Sequence, residues 1–272
     1  MKKCDCVLCS FENPKVCSTA IIIKDQKMLV AKRAGSPFKG KWDFIGGYIN
    51  KNESPEDAMK REIKEELGVN CKCRYLTSFC GTASYEGYGY PVLAMCYLVE
   101  LSGKIKLNKK ENSKLSWIPI KNLKTIAFDS NQKILKYVKS KFVCDLKGVR
   151  SLLKQLNPNI VFDEQSLYRA TLNGYMSKVE KKGKLIGMGW IYPRQTLPWN
   201  NATIEDMIVD EKYRGQGLGE KILFDLIGWA KRNNIQIIEL TTNPKRLAAN
   251  SLYRKIGFQQ FETNHYLLKL KK

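Results

Sequence analysis

The sequence predicts two α/β domains that follow one another without a flexible linker. The chain has 272 residues, which is room for two domains of ordinary size. Strand-like and helix-like patterns alternate in both halves, and each half carries its own cluster of glycines and chemically specific side chains. The pattern changes near Cys144, so we expect a short segment at 1–17, a first domain at 18–144 and a second domain at 145–272.

The first domain is predicted to mix strands with two helices. Residues 54–67 have the clearest helix pattern, because Ser54 is a good N-cap, Pro55 occupies the first helical position and Gly68 follows the last turn. The other predicted elements are two strands around a turn at Asp25 and Gln26 within 18–32, a short strand at 42–47, strands at 73–80 and 90–101, and a helix at 129–141.

The second domain is predicted to alternate strands and helices around a glycine-rich loop at 214–219. An amphipathic helix begins at 149–154, and apolar residues recur at helical spacing after the loop. The predicted strands are 167–179, 184–192, 202–209, 235–241 and 264–270, and the predicted helices after the loop are 219–233 and 246–256.

Both halves are strongly basic, which favours anionic ligands. The formal net charge is +21; residues 1–144 carry 26 Lys and Arg against 14 Asp and Glu, and residues 145–272 carry 21 against 12. Such a field attracts nucleotides, coenzyme A or RNA, although a surface of solvated lysines explains the same charge. No apolar run is long enough to span a membrane, and the N-terminus lacks the apolar core of a signal peptide, so we expect a cytoplasmic protein.

Four of the nine cysteines crowd the N-terminus. Cys6 and Cys9 form a CxxC pair, and Cys4 and Cys17 would complete a four-cysteine zinc site. Zinc sites usually use two such pairs or added histidines, and the single histidine, His265, is far away in the sequence. Reduced thiols in a reducing compartment are the other interpretation.

Three glutamates share one face of the predicted helix at 54–67. Glu62, Glu65 and Glu66 are spaced i, i+3 and i+4, which places them within an arc of about 100°. Carboxylates so close together repel one another unless a cation lies among them, and their hard oxygens favour Mg²⁺ or Mn²⁺. Such an ion is suited to phosphoanhydride cleavage. By themselves, the three residues would also fit a solvated acidic helix face.

The pattern around these glutamates extends well beyond the helix. From Gly47 to Val69 it reads Gly-x5-Glu-x7-Arg-Glu-(apolar)-x-Glu-Glu-x-Gly-(apolar). At every defined position it resembles the Nudix box. The segments 37–43 and 116–120 look like further parts of that family, whereas Ile45 stands where many members have proline.

The resemblance implies an α/β/α sandwich with a mixed sheet, and hydrolysis of a nucleoside diphosphate linked to another group. It also implies roles for matching residues. Arg61 would orient the carboxylates, and one of the catalytic glutamates, Glu65 before Glu66, would deprotonate water. The implied ligands of Mg²⁺ or Mn²⁺ are the Gly47 carbonyl, Glu53, Glu62, Glu65 and Glu66.

Two further features of the first domain bear on its ligands. The tyrosines at 85–92 would either stack on a base or pack a hairpin. The cysteine-bearing lead-in looks like a reduced form of the zinc module that precedes the Nudix domain of dinucleotide pyrophosphatases, with the second CxxC missing.

The loop at 214–219 has the composition of a phosphate cradle. Gly215, Gly217 and Gly219 would let backbone N–H groups close around an anion at a helix N-terminus. Dinucleotide-binding folds and ordinary turns share a lone Gly-x-Gly-x-Gly, and Glu239 lies about 20 residues on, at the spacing that a dinucleotide site requires.

The wider context of this loop is more specific. Arg214, Gly217 and Gly219 form an Arg-x-x-Gly-x-Gly pattern that resembles the acetyl-CoA-binding motif of the GNAT superfamily, and 250–258 looks like its second motif. The resemblance covers roughly 147–272. It implies a mixed, mostly antiparallel central sheet flanked by helices, acetyl-CoA as cofactor and an amine as acetyl acceptor.

The same likeness assigns roles in acetyl transfer. Tyr253 would protonate the departing thiolate unless it is structural, and Glu205 or Asp206 would take a proton from the amine unless both are plain surface acids. Trp190 and Trp199 carry no motif and are interpreted as packing or rim residues. The residues implied to contact acetyl-CoA are Met207, Ile208, Val209, Arg214, Gly215, Gln216, Gly217, Leu218, Gly219, Asn250 and Tyr253.

The leading hypothesis is therefore a bifunctional enzyme, a Nudix pyrophosphohydrolase and a GNAT N-acetyltransferase in one chain. One alternative is an RNA-binding or RNA 5′-end-processing Nudix protein with an accessory GNAT domain, which the net charge of +21 motivates. Another is that one half is a non-catalytic scaffold.

Overall fold

The computed structural model describes residues 13–85, 88–268 and 270. The chain divides into two compact units, Met1–Leu146 and Lys147–Lys272, and each is described by itself. In the described part of the chain, no helix has the length and apolar character that crossing a membrane requires. Both units combine helices with mixed sheets, so the predicted α/β class is confirmed.

The larger sheet of the first unit mixes parallel and antiparallel pairs. Its strands are β1 (Lys15–Ile21), β5 (Ile45–Tyr48), β6 (Asn70–Tyr85) and β7 (Tyr88–Ser102), in the order β5-β1-β7-β6. The pair β1–β7 is parallel, and the pairs β1–β5 and β6–β7 are antiparallel. The hairpin β6–β7 is longer than predicted at both ends.

A second, smaller sheet completes the strands of this unit. It consists of β2 (Ile23–Lys24), β3 (Lys27–Arg33), β4 (Trp42–Asp43) and β8 (Asn112–Pro119), with β3 paired to each of the other three. The predicted turn at Asp25 and Gln26 is present, and both residues have positive φ, 50° and 57°. Such values are tolerated in tight turns of this kind.

Helix α1 (Pro55–Leu67) follows the predicted capping pattern. The Ser54 side chain accepts a hydrogen bond from the Asp57 N–H, and Gly68 ends the helix in the left-handed conformation at φ 68°. Its fully buried residues Met59, Ile63 and Leu67 pack into the core beside the larger sheet. Because this arc of the helix is buried, the glutamates on the adjoining arc face the glycines of β5. A second helix, α2, spans Asp129–Phe142.

The second unit has one four-stranded sheet in the order β12-β11-β10-β9. Only the pair β11–β12 is parallel, so the predicted mixed, mostly antiparallel sheet is confirmed. Its elements are α3 (Leu146–Leu156), α4 (Glu164–Asn173), β9 (Tyr175–Lys181), β10 (Lys184–Gln195), β11 (Asn200–Val209), α5 (Leu218–Arg232), β12 (Ile237–Leu240) and α6 (Leu247–Ile256).

Two predicted strands of this half differ in the structure. Residues 167–173, predicted as strand, belong to helix α4, because the Asp163 side chain caps that helix by accepting from the N–H groups of Gln165 and Ser166. Within the predicted terminal strand, residues 264–268 lie outside any strand.

The core of the second unit brings α5 against the sheet. The α5 side chains of Ile222, Leu223 and Leu226 are fully buried in this core. Glycines on β10 make the close approach feasible, since a Cβ at Gly189 would lie 2.9 Å from the Ile222 side chain. This packing fixes the start of α5 beside the end of β11.

Candidate active sites

In the first unit, two strand glycines bring the backbone up to the α1 glutamates. The Gly46 N–H donates a hydrogen bond to Glu66 Oε1 at 2.9 Å. A Cβ on Gly46 would overlap the Ser18 carbonyl, and one on Gly47 would lie 2.6 Å from Glu62 Cδ. Only glycine fits at either position without displacing a neighbour, and at Gly46 the φ of 144° adds a conformational reason.

Three carboxylates converge at this point. Oxygens of Glu62, Glu66 and Glu111 all lie within 4.8 Å of one another; Glu62 and Glu66 are buried and Glu111 is exposed. The buried Asn112 amide donates a hydrogen bond to Glu66. This donor set fits Mg²⁺ or Mn²⁺, which take carboxylate oxygens in preference to nitrogen or sulfur.

Glu111 and Asn112 were missed by the sequence analysis. They lie more than 40 residues after α1, so no helical spacing relates them to its glutamates. Backbone bonds tie their loop to the end of α1: the Lys106 N–H donates to Leu67 O and the Asn108 N–H donates to Glu66 O, both at 2.8 Å. The available signal was an acid–amide pair at the start of β8, the strand that holds most of the Nudix-like segment 116–120.

Protonation of the cluster reflects its crowding and burial. Burial raises the pKa of Glu66 to about 8, against the opposing effect of the Gly46 N–H. Burial also raises the pKa of Glu62, although its ion pair with Arg61 opposes that shift. Carboxylates held in this way are costly to ionise together, and a bound cation would remove that cost.

Arg61 joins the remaining acids into a network. Its guanidinium donates to both oxygens of Glu53, at 2.8 and 3.1 Å, to Glu62 Oε1 at 2.6 Å and to Glu65 Oε2 at 3.2 Å. A further bond reaches the Tyr48 carbonyl at 3.0 Å. The structure therefore brings Glu53 and Glu65 to Arg61, and it does not bring them into the three-carboxylate cluster.

The other ligand predictions for this half have mixed placement. Tyr88 and Tyr90 are exposed on β7. This strand forms a hairpin with β6, which is the arrangement that the hairpin-packing interpretation predicts. Cys17 is half-buried on β1, where burial raises the pKa of its thiol to about 11. The zinc prediction otherwise rests on Cys4, Cys6 and Cys9, which lie outside the described residues.

In the second unit, the strands diverge beside the glycine loop. β11 pairs with β12 only from Asn201 to Ile204, and the rest of β11 continues along β10, with Ile208 opposite Met188. Over the described residues, the edge of β11 from 205 to 209 thus has no strand partner on its β12 side. An extended ligand could add to this edge by backbone hydrogen bonds.

The glycine loop joins this edge to the N-terminus of α5. Gly215 and Gly217 have positive φ, 76° and 72°, with open space around both. Gly217 is the N-cap of α5 and supplies no side-chain acceptor for the first helical N–H groups. Arg214 Nε donates to the Val209 carbonyl at 3.2 Å, which fixes the loop to β11. Free N–H groups at a helix start favour anions.

Tyr253 meets the strand edge directly. Its hydroxyl lies 3.8 Å from Met207 Sδ. The residue predicted to protonate the thiolate therefore lies next to the strand predicted to pair with pantetheine. Burial raises the pKa of Tyr253, which keeps the phenol protonated. Asn250 has a different setting, because its side-chain amide donates to the carbonyls of Asn243 and Arg246 at 3.1 and 3.0 Å.

A bulge separates the two acids that were considered for the amine proton. One residue lies between Met188 and Trp190 on β10, whereas two residues lie between their β11 partners Ile208 and Glu205. Asp206 occupies the bulge at φ 49°. Partial burial raises the pKa of both Glu205 and Asp206.

Family models match both halves of the chain. The NUDIX domain model matches residues 14–138, and the Acetyltransferase (GNAT) family model matches residues 148–258. Glu62, Glu66 and Glu111 fall within the first match, and the glycine loop and Tyr253 fall within the second.

Several known proteins are similar to one half of the chain or the other. An ADP-ribose pyrophosphatase of Methanocaldococcus jannaschii is 31% identical over 47% of this chain and 76% of its own length. The uncharacterized N-acetyltransferase YobR of Bacillus subtilis is 38% identical over a segment that covers 24% of this chain and 27% of YobR. The crystal structure of a MutT NUDIX hydrolase from Burkholderia pseudomallei is 28% identical, covering 47% of this chain and 99% of that one, with a TM-score of 0.42. The chain thus belongs to the Nudix hydrolase family and carries, in its second half, an acetyltransferase domain of the GNAT family.

Proposed function

We propose that the first half hydrolyses a nucleoside diphosphate linked to another group and requires Mg²⁺ or Mn²⁺. The observation that carries this proposal is the convergence of Glu62, Glu66 and Glu111 beneath the paired glycines. A divalent ion held there would neutralise phosphate charge and activate water. We place the two activities in residues 18–144 and 145–272.

The protein groups around that ion have separate tasks in this proposal. Glu62, Glu66 and Glu111 would hold the metal together with the Gly47 carbonyl. Arg61 positions Glu62 by ion pairing and is itself held by Glu53. The Glu65 carboxylate is half exposed beside the cluster, where it would accept a proton from the attacking water.

ADP-ribose is the first substrate to test, because one relative bears the name ADP-ribose pyrophosphatase. Nucleotide products would be measured from a panel that also includes NADH, dinucleoside polyphosphates, nucleotide sugars, CoA and capped RNA. Glu66→Gln should abolish a metal-dependent activity, whereas Glu56→Gln, on the exposed first turn of the same helix, should retain it. Activity that survives chelation, or that survives Glu66→Gln, would refute the proposal.

A second candidate function for this half is processing of an RNA 5′ end. Its specific support is the loop before Glu111, in which Lys104, Lys106, Lys109 and Lys110 are all exposed. Phosphate contacts of this kind make binding steeply salt-dependent. Binding of capped RNA that weakens steeply between low and physiological salt would favour this candidate, and binding of mononucleotides alone would exclude it.

We propose that the second half transfers an acetyl group from acetyl-CoA to an amine. The loop at 214–219 would hold the CoA pyrophosphate, and the free β11 edge from Met207 to Val209 would pair with the pantetheine. The contact between Tyr253 and Met207 supports this proposal, because the Tyr253 hydroxyl would act as the proton donor at that edge. Asn250 would contribute through the position of α6.

Release of the CoA thiol in the presence of amines tests this activity. Tyr253→Phe should lower kcat by about 100-fold, the lower end of the usual effect of a general acid, and leave the affinity for acetyl-CoA unchanged. Tyr266→Phe, at a position 87% exposed, is the matched control. Equal kcat values for the two variants would assign Tyr253 a structural role.

A further inference from the structure

The second unit contains an apolar cavity bordered by the bulge in β11. Its volume is about 310 Å³, at the small end of the range for small-molecule sites. α3, α4, the loop between them, and β10 form its walls. Representative lining residues are Val149, Leu153, Phe162, Met188 and Trp190.

Few polar groups line this cavity, and some of them already have hydrogen-bond partners whereas one does not. Ser166 Oγ donates to Asp163 Oδ2 at 2.7 Å, and Arg169 also pairs with Asp163, so these groups are engaged in the cap of α4. The Asp206 carboxylate has neither a hydrogen bond nor an ion pair among the residues that the structure describes. It is therefore the acid on this wall that remains open to a ligand.

Asp206 lines the cavity and Glu205 does not. Asp206 occupies the bulge in β11 at φ 49°, whereas Glu205 pairs with Trp190 in the ladder and is absent from the lining. The next residue, Met207, contacts the Tyr253 hydroxyl. Cavity, carboxylate and proposed pantetheine edge thus meet within two residues of β11.

We infer that this cavity binds the acetyl acceptor, and that the acceptor is a primary amine on a compact apolar body such as an aromatic ring or a branched alkyl chain. The inference rests on the proposed acetyltransferase activity and adds its substrate class. Burying a polyamine, an amino sugar or a nucleotide here would leave polar groups without partners on an apolar wall. A single ammonium beside Asp206 satisfies the one open carboxylate.

The reaction balances with the groups at hand. The ammonium gives one proton to Asp206, and the amine nitrogen then bonds to the acetyl carbon as the carbon–sulfur bond breaks. The departing thiolate takes a proton from Tyr253, and the second proton from nitrogen restores the tyrosine. Asp206 returns its proton to water. The limited solvation that raises the pKa of Asp206 also makes it a better base.

The test uses the full chain, with acetyl-CoA and a panel of amines: phenethylamine, isoamylamine, spermidine, glucosamine and a lysine peptide. Acetyl-CoA binding is measured first by calorimetry, and acetylation is then followed by CoA release. We expect kcat/KM at least 100-fold higher for the two apolar amines than for the other three. Asp206→Asn should lower kcat/KM by about 100-fold or more while acetyl-CoA affinity is unchanged.

Glu180→Gln, at an exposed position on β9, is the matched control and should behave like the parent protein. Glu205→Gln is measured beside Asp206→Asn to decide between the two acids. Asparagine tolerates the positive φ of position 206, so Asp206→Asn should fold, which thermal unfolding checks. Absence of acetyl-CoA binding would defeat the proposed acetyltransferase activity itself, and the inference with it. Three outcomes would overturn the inference and leave the proposed acetyltransferase activity standing, provided that acetyl-CoA binds. The protein could prefer polar amines, it could acetylate no apolar amine, or the fall in kcat/KM could occur in Glu205→Gln instead of Asp206→Asn.

Discussion

The two candidate sites are built from different materials. In the first unit, the site consists of charged side chains: the cluster of Glu62, Glu66 and Glu111, with Arg61 beside it. In the second unit, the proposed acetyl-CoA site consists mainly of backbone: the β11 edge that has no partner strand on its β12 side among the described residues, and a glycine loop at a helix start. Side-chain sites fail when a functional group is removed, whereas backbone sites fail when the chain is bent.

Glycine makes the contrast concrete, because both sites depend on it for different reasons. At Gly47 the reason is space, since a Cβ would meet the Glu62 carboxylate. At Gly217 the space is open, and the reason is the backbone angle, φ 72°. One substitution type, glycine to alanine, therefore probes both sites by separate physical routes.

The largest effect is expected from Gly47→Ala. The added methyl group must displace Glu62, and a shift of about 1 Å in a catalytic group costs on the order of 100-fold in rate. Hydrolysis of the best nucleotide substrate measures the loss, and acetyl transfer should be unchanged. Gly35→Ala is the control, because nothing lies within 4 Å of a Cβ there. Equal rates for both variants would show that Glu62 moves without consequence.

A somewhat smaller effect is expected from Asn112→Ala, which removes a partner of Glu66 and leaves all three carboxylates in place. Residues that support metal ligands contribute about 10–100-fold in metal affinity. Calorimetric titration with Mn²⁺ measures it. Asn122→Ala, at an exposed position in the same unit, should bind as the parent does. Unaltered Mn²⁺ affinity in Asn112→Ala would remove Asn112 from the site.

The cluster should also make the metal-free protein sensitive to pH. Burial raises the pKa of Glu66 from 4.5 to about 8, so the folded protein holds a proton that the unfolded chain has lost between these values. The free energy of unfolding should therefore fall as the pH rises from about 4.5 to 8. Saturating Mg²⁺ should flatten the decline, and so should Glu66→Gln. Denaturant unfolding at several pH values measures it; a stability that rises with pH would contradict it.

The side-chain site was the more predictable of the two. Glu62 and Glu66 lie four apart on one strongly patterned helix, so local sequence was enough to bring them together. Glu53 and Glu65 share that pattern, yet both bond to Arg61 and lie outside the cluster. Arg61 also bonds to Glu62 inside the cluster, so neither helical spacing nor pairing with the arginine decides which glutamates join it.

Long-range packing explains the residues that were missed. Glu111 reaches the cluster because its loop bonds to the last turn of α1, a contact between distant parts of the sequence. In the second unit, Trp190, interpreted as a packing or rim residue, lines the cavity. Asp206 was weighed beside Glu205, and the bulge that separates them has no signature in residue types.

The same limit applies to the element boundaries of the second half. The strand predicted at 167–179 begins only at Tyr175 in the structure, and residues 167–173 are helical. The cap that Asp163 provides four residues earlier favours helix α4. Since α4 forms one wall of the cavity, an error in a local boundary concealed a feature of the site.

The smallest effect is expected from Gly217→Ala, which completes the comparison with Gly47. Alanine at φ 72° costs about 1–2 kcal/mol of stability, and the strain should turn the first N–H groups of α5 and weaken acetyl-CoA binding. Gly228→Ala, in the interior of the same helix, should instead stabilise the unit by about 0.5–1 kcal/mol. Thermal unfolding and calorimetric titration with acetyl-CoA measure both variants. If the two variants proved equally stable and bound acetyl-CoA equally well, backbone conformation would not be what this site requires.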